Sequence, residues 1–147
     1  VLFIVVDSVV DSLHELGPLH HPPFPTSLLA SLNAAIGEEI IFRLFFIPFW
    51  VWLLARVVFK RGENTVFWII TIVSALVFAA GHFPSVMIMY GLDSVAAMPA
   101  PLIAELIVLN AALSIPAALF LRNYGLLAAI GVHFWLDIIW HVIWGLF

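Results

Sequence analysis

The sequence predicts an all-α fold, a polytopic bundle of transmembrane helices, and its composition and apolar run lengths support that prediction. Of its 147 residues, 65% are hydrophobic and 10% are charged, and the mean hydropathy is +1.19. A typical soluble domain has about 45–50% apolar and about 25% charged residues. Four apolar stretches also reach the roughly 20 residues that a helix needs to cross a bilayer. We therefore expect an integral membrane protein with four spans plus a partial N-terminal helix.

The predicted spans follow the apolar runs, at residues 28–59, 66–90, 101–121 and 124–147. Residues 1–26 are predicted to form a partial helix and a Pro/His loop, because Pro22, Pro23 and Pro25 interrupt helical hydrogen bonding. Residues 27–147 then form the core domain. His20 and His21, beside these prolines, are expected to be solvated. The chain begins at Val1 inside an apolar run, so we expect further sequence upstream.

The few basic residues predict the orientation and exclude some partners. Apart from Arg43, they flank the first and third turns at residues 56–61 and 122. The positive-inside rule places those turns in the cytoplasm, and we expect the cell membrane of a prokaryote. No basic run is present, which argues against nucleic acid, so the expected partners are membrane lipid and a membrane-bound peptide or protein substrate. The chain has no cysteine, which excludes a cysteine-based metal site.

Three of the four predicted spans contain ionisable residues well inside the apolar run. Such groups cost a few kcal/mol each in hydrocarbon and usually mark a functional site. The residues are Glu38, Glu39 and Arg43 in the first span, His82 in the second, and His133, Asp137 and His141 in the fourth. The third span has a single Glu105 near its start, which we expect at the interface or paired with a neighbouring helix.

Helical geometry assigns the two glutamates different roles. Glu39 and Arg43 are four residues apart and share a face, which favours a structural ion pair. Glu38 is rotated about 100° from Glu39 and is therefore available as a general base. Phe78 lies one turn before His82, where its ring can form a wall of the site.

Three short motifs occur in order, each on its own predicted span. Residues 38–43 read EExxxR, residues 78–82 read FxxxH, and residues 133–137 read HxxxD. Together they resemble the CPBP family of intramembrane proteases, which includes the Rce1-type CAAX prenyl endopeptidases. The resemblance implies that Glu38 activates a water that His82 helps to hold, while His133 and Asp137 stabilise the oxyanion. Many members have Asn where this chain has Asp137. An ionised carboxylate cannot donate a hydrogen bond, so Asp137 acts either in its protonated form or by orienting His133 or His141.

The heights of the histidines leave the partner of Glu38 open between His133 and His141. At 1.5 Å per residue, Glu38 lies about 27 Å from Arg56, and His141 lies about 27 Å from Asn123. His133 is only about 15 Å from Asn123 on the same scale. Straight helices would bring His141 level with Glu38, whereas the motif favours His133. We predict that the partner is His133 and that helix tilt brings it to Glu38. His141 is then a supporting residue.

The predicted function is an intramembrane endopeptidase, glutamic rather than metallo type, that cleaves a membrane-embedded or lipid-anchored peptide, with prenylated CaaX segments as one substrate class. No cofactor is favoured. The first alternative is a zinc metalloprotease using Glu38, His82 and His133, although HExxH is absent and no acceptor is evident one turn from His82, where Phe78 stands. The second is a non-catalytic scaffold or a proton or ion relay.

Overall fold

The fold was derived from a computed structural model, which describes residues 2–146. Val1 and Phe147, the outer ends of the first predicted segment and of the fourth predicted span, lie outside the described residues. Residues 2–146 contain no strand, so the predicted all-α class is confirmed. The helices are α1 (Leu2–Asp11), α2 (Thr26–Val58), α3 (Glu63–Gly81), α4 (Phe83–Tyr90), α5 (Ala100–Tyr124) and α6 (Leu126–Leu146).

Within residues 2–146, four helical stretches are long and apolar enough to cross a membrane, as predicted: α2, α3 with α4, α5, and α6. The large side chains on their outer surface are apolar, and Ile88 and Leu127 are 82% and 83% exposed. By contrast, Thr71, Ser74 and Ser114 are fully buried between helices. Apolar residues outside and small polar residues at helix contacts are typical of a membrane bundle.

Helix α2 changes pitch directly after the glutamates. It becomes π-helical at Ile40–Phe46, returns to α-helix at Ile47–Val51, and is π-helical again at Trp52–Val58. Pro48 lacks the N–H that would continue the regular ladder, which gives the helix a local reason to depart from it. Such π-helical turns occur often at functional sites, and here the wider turn contains Arg43.

The second span is broken at His82, whereas the sequence predicted one continuous helix. Helix α3 ends at Gly81 and α4 begins at Phe83, with Pro84 in its first turn. The backbone N–H of His82 donates to Ala79 O at 3.0 Å, in a tighter turn than an α-helix. This leaves the Phe78 carbonyl without its usual backbone donor, and the His82 ring supplies one (Nδ1 to Phe78 O, 2.8 Å).

Helix α5 lies at the centre of the bundle, with α3 and α6 packed along it, and α2 closes the bundle against α6 and α3. One apolar cluster lies toward the basic turns and includes Ile47, Phe67 and Ala118. A second lies at the opposite end, around Leu102 and Leu106. The polar residues of the motifs lie between these two clusters.

The two basic turns lie side by side, as the sequence predicted. Arg122 Nη1 donates to Asn64 Oδ1 at 2.8 Å, and its guanidinium stands 4.6 Å from the centre of the Phe67 ring. Arg56 pairs with Glu63 at 2.6 Å at the same end of the molecule.

Helix α1 packs on α5 through two buried acids. Asp7 is the only buried residue of α1, and Glu105 of α5 is buried close to it. Glu105 thus pairs with a neighbouring helix, one of the two outcomes expected for it.

Candidate active site

A cavity of about 490 Å³ lies inside the bundle, and the ionisable residues of three spans meet in it. We call it the central cavity. Its lining includes the motif residues Glu38, Phe78, His82, His133 and Asp137, and the supporting residue His141. The predicted convergence of the three motifs on one cavity is therefore found. Residues of α5 and of the loop before α2 complete the wall.

Glu38 projects from α2 into the central cavity and is the least enclosed carboxylate of the motif residues. Its side chain is 34% exposed, and its Oε2 lies 3.7 Å from His133 Nε2. That separation is longer than a direct hydrogen bond, so the carboxylate keeps lone pairs for a bound molecule. The partner near Glu38 is His133, as the motif predicted, and not the His141 that straight helices would have favoured.

Glu39 turns away from the cavity and forms the predicted ion pair with Arg43. Glu39 Oε2 lies 3.2 Å from Arg43 Nε, and both side chains are fully buried. The Arg43 guanidinium also stands 5.0 Å from the centre of the Phe78 ring and 5.9 Å from that of Phe42. A cation against aromatic faces gains electrostatic attraction that is strongest where water is excluded. Phe78 thus supports the cation as well as walling the site.

Glu39 also sets the proton arrangement of His133. Glu39 Oε1 lies 2.9 Å from His133 Nδ1. Because Glu39 is paired with Arg43, its carboxylate accepts and the His133 Nδ1–H donates. The other ring nitrogen, Nε2, faces Glu38 at 3.7 Å and Asp137 Oδ2 at 3.5 Å. An imidazole surrounded by three carboxylates is placed to hold a second proton on Nε2 and to donate it into the cavity.

The nitrogen of His82 that faces the cavity is a hydrogen-bond acceptor, whereas that of His133 is a donor. Its Nδ1–H donates to the Phe78 carbonyl, so the neutral ring presents a lone pair on Nε2. That nitrogen can accept a hydrogen bond from a water molecule. No acceptor was expected one turn from His82, and that prediction is wrong, because the backbone carbonyl of Phe78 orients the His82 ring.

The loop before α2 supplies a histidine that the sequence wrongly placed in solvent. His21 Nδ1 lies 3.2 Å from His141 Nδ1, and its ring packs edge-on against Trp140 with centroids 4.9 Å apart. Burial lowers the pKa of His21, whereas the negative charge of Asp7 opposes that change. Gly145 permits this approach, because a Cβ there would stand 2.8 Å from the His21 Cβ.

One polar lining residue on α5 was not singled out from the sequence. Asn110 of α5 is 8% exposed, and its Nδ2 donates to Leu106 O at 2.7 Å. His20 lies at the edge of the cavity beside His21 and is exposed, in line with the solvated position expected for it. An amide in the middle of an otherwise apolar span was the available signal for Asn110.

A comparison with known protein families matched most of the chain. The profile of the family described as "Type II CAAX prenyl endopeptidase Rce1-like" matches residues 20–139, which contain all three motifs. The comparisons with curated proteins and with solved structures gave no match. The family match covers well over half of the sequence and the spans are those of a membrane protein. The chain therefore belongs to the type II CAAX prenyl endopeptidase Rce1-like family of intramembrane proteases.

Proposed function

We propose that this chain is a metal-independent intramembrane endopeptidase in which Glu38 activates the attacking water. The observation that supports this best is the meeting of Glu38, His82 and His133, from three different spans, in the central cavity. Their nitrogens and oxygens offer complementary roles: a carboxylate to accept a proton, a lone pair to hold water, and an N–H to donate. Peptide hydrolysis by water needs this set of groups.

In the proposed reaction, a water molecule lies between Glu38 and His82 Nε2. Glu38 removes one proton as the water oxygen bonds to the scissile carbonyl carbon, and the carbonyl oxygen becomes an oxyanion. His133 Nε2–H donates to that oxyanion. The carbon–nitrogen bond then breaks, and the proton held by Glu38 passes to the leaving amine. The products are a carboxyl terminus and a free amine, and Glu38 regains its initial state.

Asp137 serves this reaction by orienting His133. Its Oδ2 lies 3.5 Å from His133 Nε2, one helical turn away on α6. An ionised carboxylate there favours the doubly protonated ring and holds its plane. Of the two roles expected from the sequence, we favour this one over donation to the oxyanion, because His133 already faces the carboxylate.

The substrate that we propose is a membrane-embedded or lipid-anchored peptide, with a prenylated CaaX segment as the class that the family description suggests. Membrane lipid is the surrounding partner, and nucleic acid is not a partner. We further propose that the basic turns at residues 56–61 and 122 face the cytoplasm of a prokaryotic cell. A fusion of a cytoplasm-dependent reporter to the turn at residues 60–62 tests this orientation.

A zinc-dependent mechanism is the second candidate, because both histidines already have the partners that zinc ligands use. Phe78 O orients His82, and Glu39 orients His133. Glu38 would supply the third ligand. Within residues 2–146, however, no group of three or more His, Asp or Glu side chains is arranged to hold a metal ion. We therefore derive no step through zinc, and the proposal remains the glutamate-activated water.

The experiment that tests the proposal uses purified protein in lipid vesicles with a membrane-anchored reporter peptide. We expect wild-type protein to release a defined fragment, identified by mass spectrometry, and Glu38→Gln to release none. A strong chelator should leave the wild-type rate unchanged. Stoichiometric zinc in the purified protein, with activity lost on its removal and restored on its return, would favour the metalloprotease. Cleavage by Glu38→Gln at the wild-type rate would refute the role of Glu38, and an inert wild type would favour the relay or scaffold alternative.

A further inference from the structure

We infer that Asn110 is a second oxyanion donor, which supplies from α5 the hydrogen bond that Asp137 does not give. This inference rests on the proposed function. Asn110 stands outside the three motifs and has no role assigned by them. It is the only amide side chain that lines the central cavity within residues 2–146.

The need for such a donor follows from the proton arrangement of the motif residues. His133 Nδ1–H is engaged by Glu39, so His133 has only Nε2–H to give. His82 Nδ1–H is engaged by the Phe78 carbonyl, so neutral His82 presents an acceptor to the cavity. Glu38 and Asp137 accept hydrogen bonds when ionised. The motifs thus provide one donor, whereas oxyanion sites commonly use two or more.

Asn110 has a free donor and a fixed position. One hydrogen of its Nδ2 is used in the 2.7 Å bond to Leu106 O, which ties the amide to its own helix one turn back. The second hydrogen of Nδ2 remains for another acceptor. Because the side chain is 8% exposed and held in this way, little conformational entropy remains to be lost when an oxyanion binds.

The position of Asn110 in the bundle is also appropriate. Helices α5 and α6 are consecutive, antiparallel and packed together, and they meet at the turn between Tyr124 and Leu126. Asn110 of α5 lines the central cavity together with His133 and Asp137 of α6. The two helices thus present the amide and the two motif residues to the same cavity.

The test is a double-mutant cycle between positions 110 and 137, measured as turnover of the reporter peptide in vesicles. We expect Asn110→Ala to lower kcat by about 10²–10³-fold, the usual cost of one oxyanion donor, with KM changed less than threefold. In the background of Asp137→Asn, where a second amide stands beside the oxyanion, the same Asn110→Ala change should lower kcat by less than tenfold. The effects of the two substitutions on kcat would then not be additive, as expected if the amides at positions 110 and 137 donate to the same oxyanion.

Two controls separate this inference from folding effects and from the proposed function. Ser114→Ala removes a buried hydroxyl one turn away on α5, outside the cavity lining, and should leave kcat within threefold of wild type. Asn110→Asp keeps the shape of the side chain and should lose activity like Asn110→Ala. If Asn110→Ala retains wild-type kcat, or loses the same factor in both backgrounds, the inference is wrong. If Glu38→Gln is fully active, the proposed function itself fails.

Discussion

The buried ion pair between Glu39 and Arg43 predicts that Arg43→Met strongly destabilises the bundle. Both side chains are fully buried, with Arg43 Nε 3.2 Å from Glu39 Oε2. Removing one partner of a buried pair typically costs about 3–5 kcal/mol, because the remaining charge is left uncompensated. Here Glu39 keeps its 2.9 Å hydrogen bond from His133, so we expect the lower end, about 3 kcal/mol.

The assay is equilibrium unfolding in mixed micelles, with two matched variants. Arg56→Met removes the same side chain from an exposed pair with Glu63, and should cost no more than about 1 kcal/mol. Glu39→Gln with Arg43→Met removes both buried charges together and should recover most of the lost stability, because replacing a whole buried pair is often close to neutral. A cost for Arg43→Met no greater than for Arg56→Met would refute the reasoning, and so would a double variant less stable than Arg43→Met alone.

Three further predictions concern the residues around the site. We expect His82→Phe to lower kcat by about 10²–10⁴-fold with little loss of stability, measured by turnover and thermal unfolding; unchanged turnover would exclude His82 from holding the water. Gly145→Ala should displace the loop that carries His21 and raise KM at least threefold, because the new Cβ would stand 2.8 Å from the His21 Cβ; an unchanged KM would contradict this. Asp7→Asn should raise the free energy of unfolding by about 1 kcal/mol, because the new amide can donate a hydrogen bond to the neighbouring Glu105 carboxyl; a loss of stability would contradict this.

Much of the fold followed from the sequence, because a bilayer constrains segment length and composition strongly. Apolar run length predicted the four spans and their short connectors. The positions of the few basic residues predicted that the two basic turns lie on the same side. The break at His82 was not predicted, because a hydropathy pattern is unaffected by the backbone N–H that Pro84, two residues later, lacks. The packing of α1 on α5 was not predicted, because the sequence does not distinguish the buried Asp7 and Glu105 from acids that face solvent.

The candidate site was predicted as far as its motifs extend. Helical spacing anticipated the pairing of Glu39 with Arg43, and the motif order anticipated the position of His133 beside Glu38. The height estimate failed to select His133, because it assumed straight, upright helices. The sequence placed His21 in solvent, since the contact of a loop with a helix 120 residues later has no local signal.

The most direct test of the central claim measures chemistry and binding separately in wild type and Glu38→Gln. Both proteins are reconstituted in the same vesicles with the membrane-anchored reporter peptide, and single-turnover rates and peptide affinities are recorded with and without chelator. If Glu38 is the base, Glu38→Gln should lower the cleavage rate at least 10²-fold, the smaller contribution expected of a general base, and leave the peptide Kd within threefold. The chelator should change neither rate. A Glu38→Gln variant that cleaves at the wild-type rate would contradict the claim.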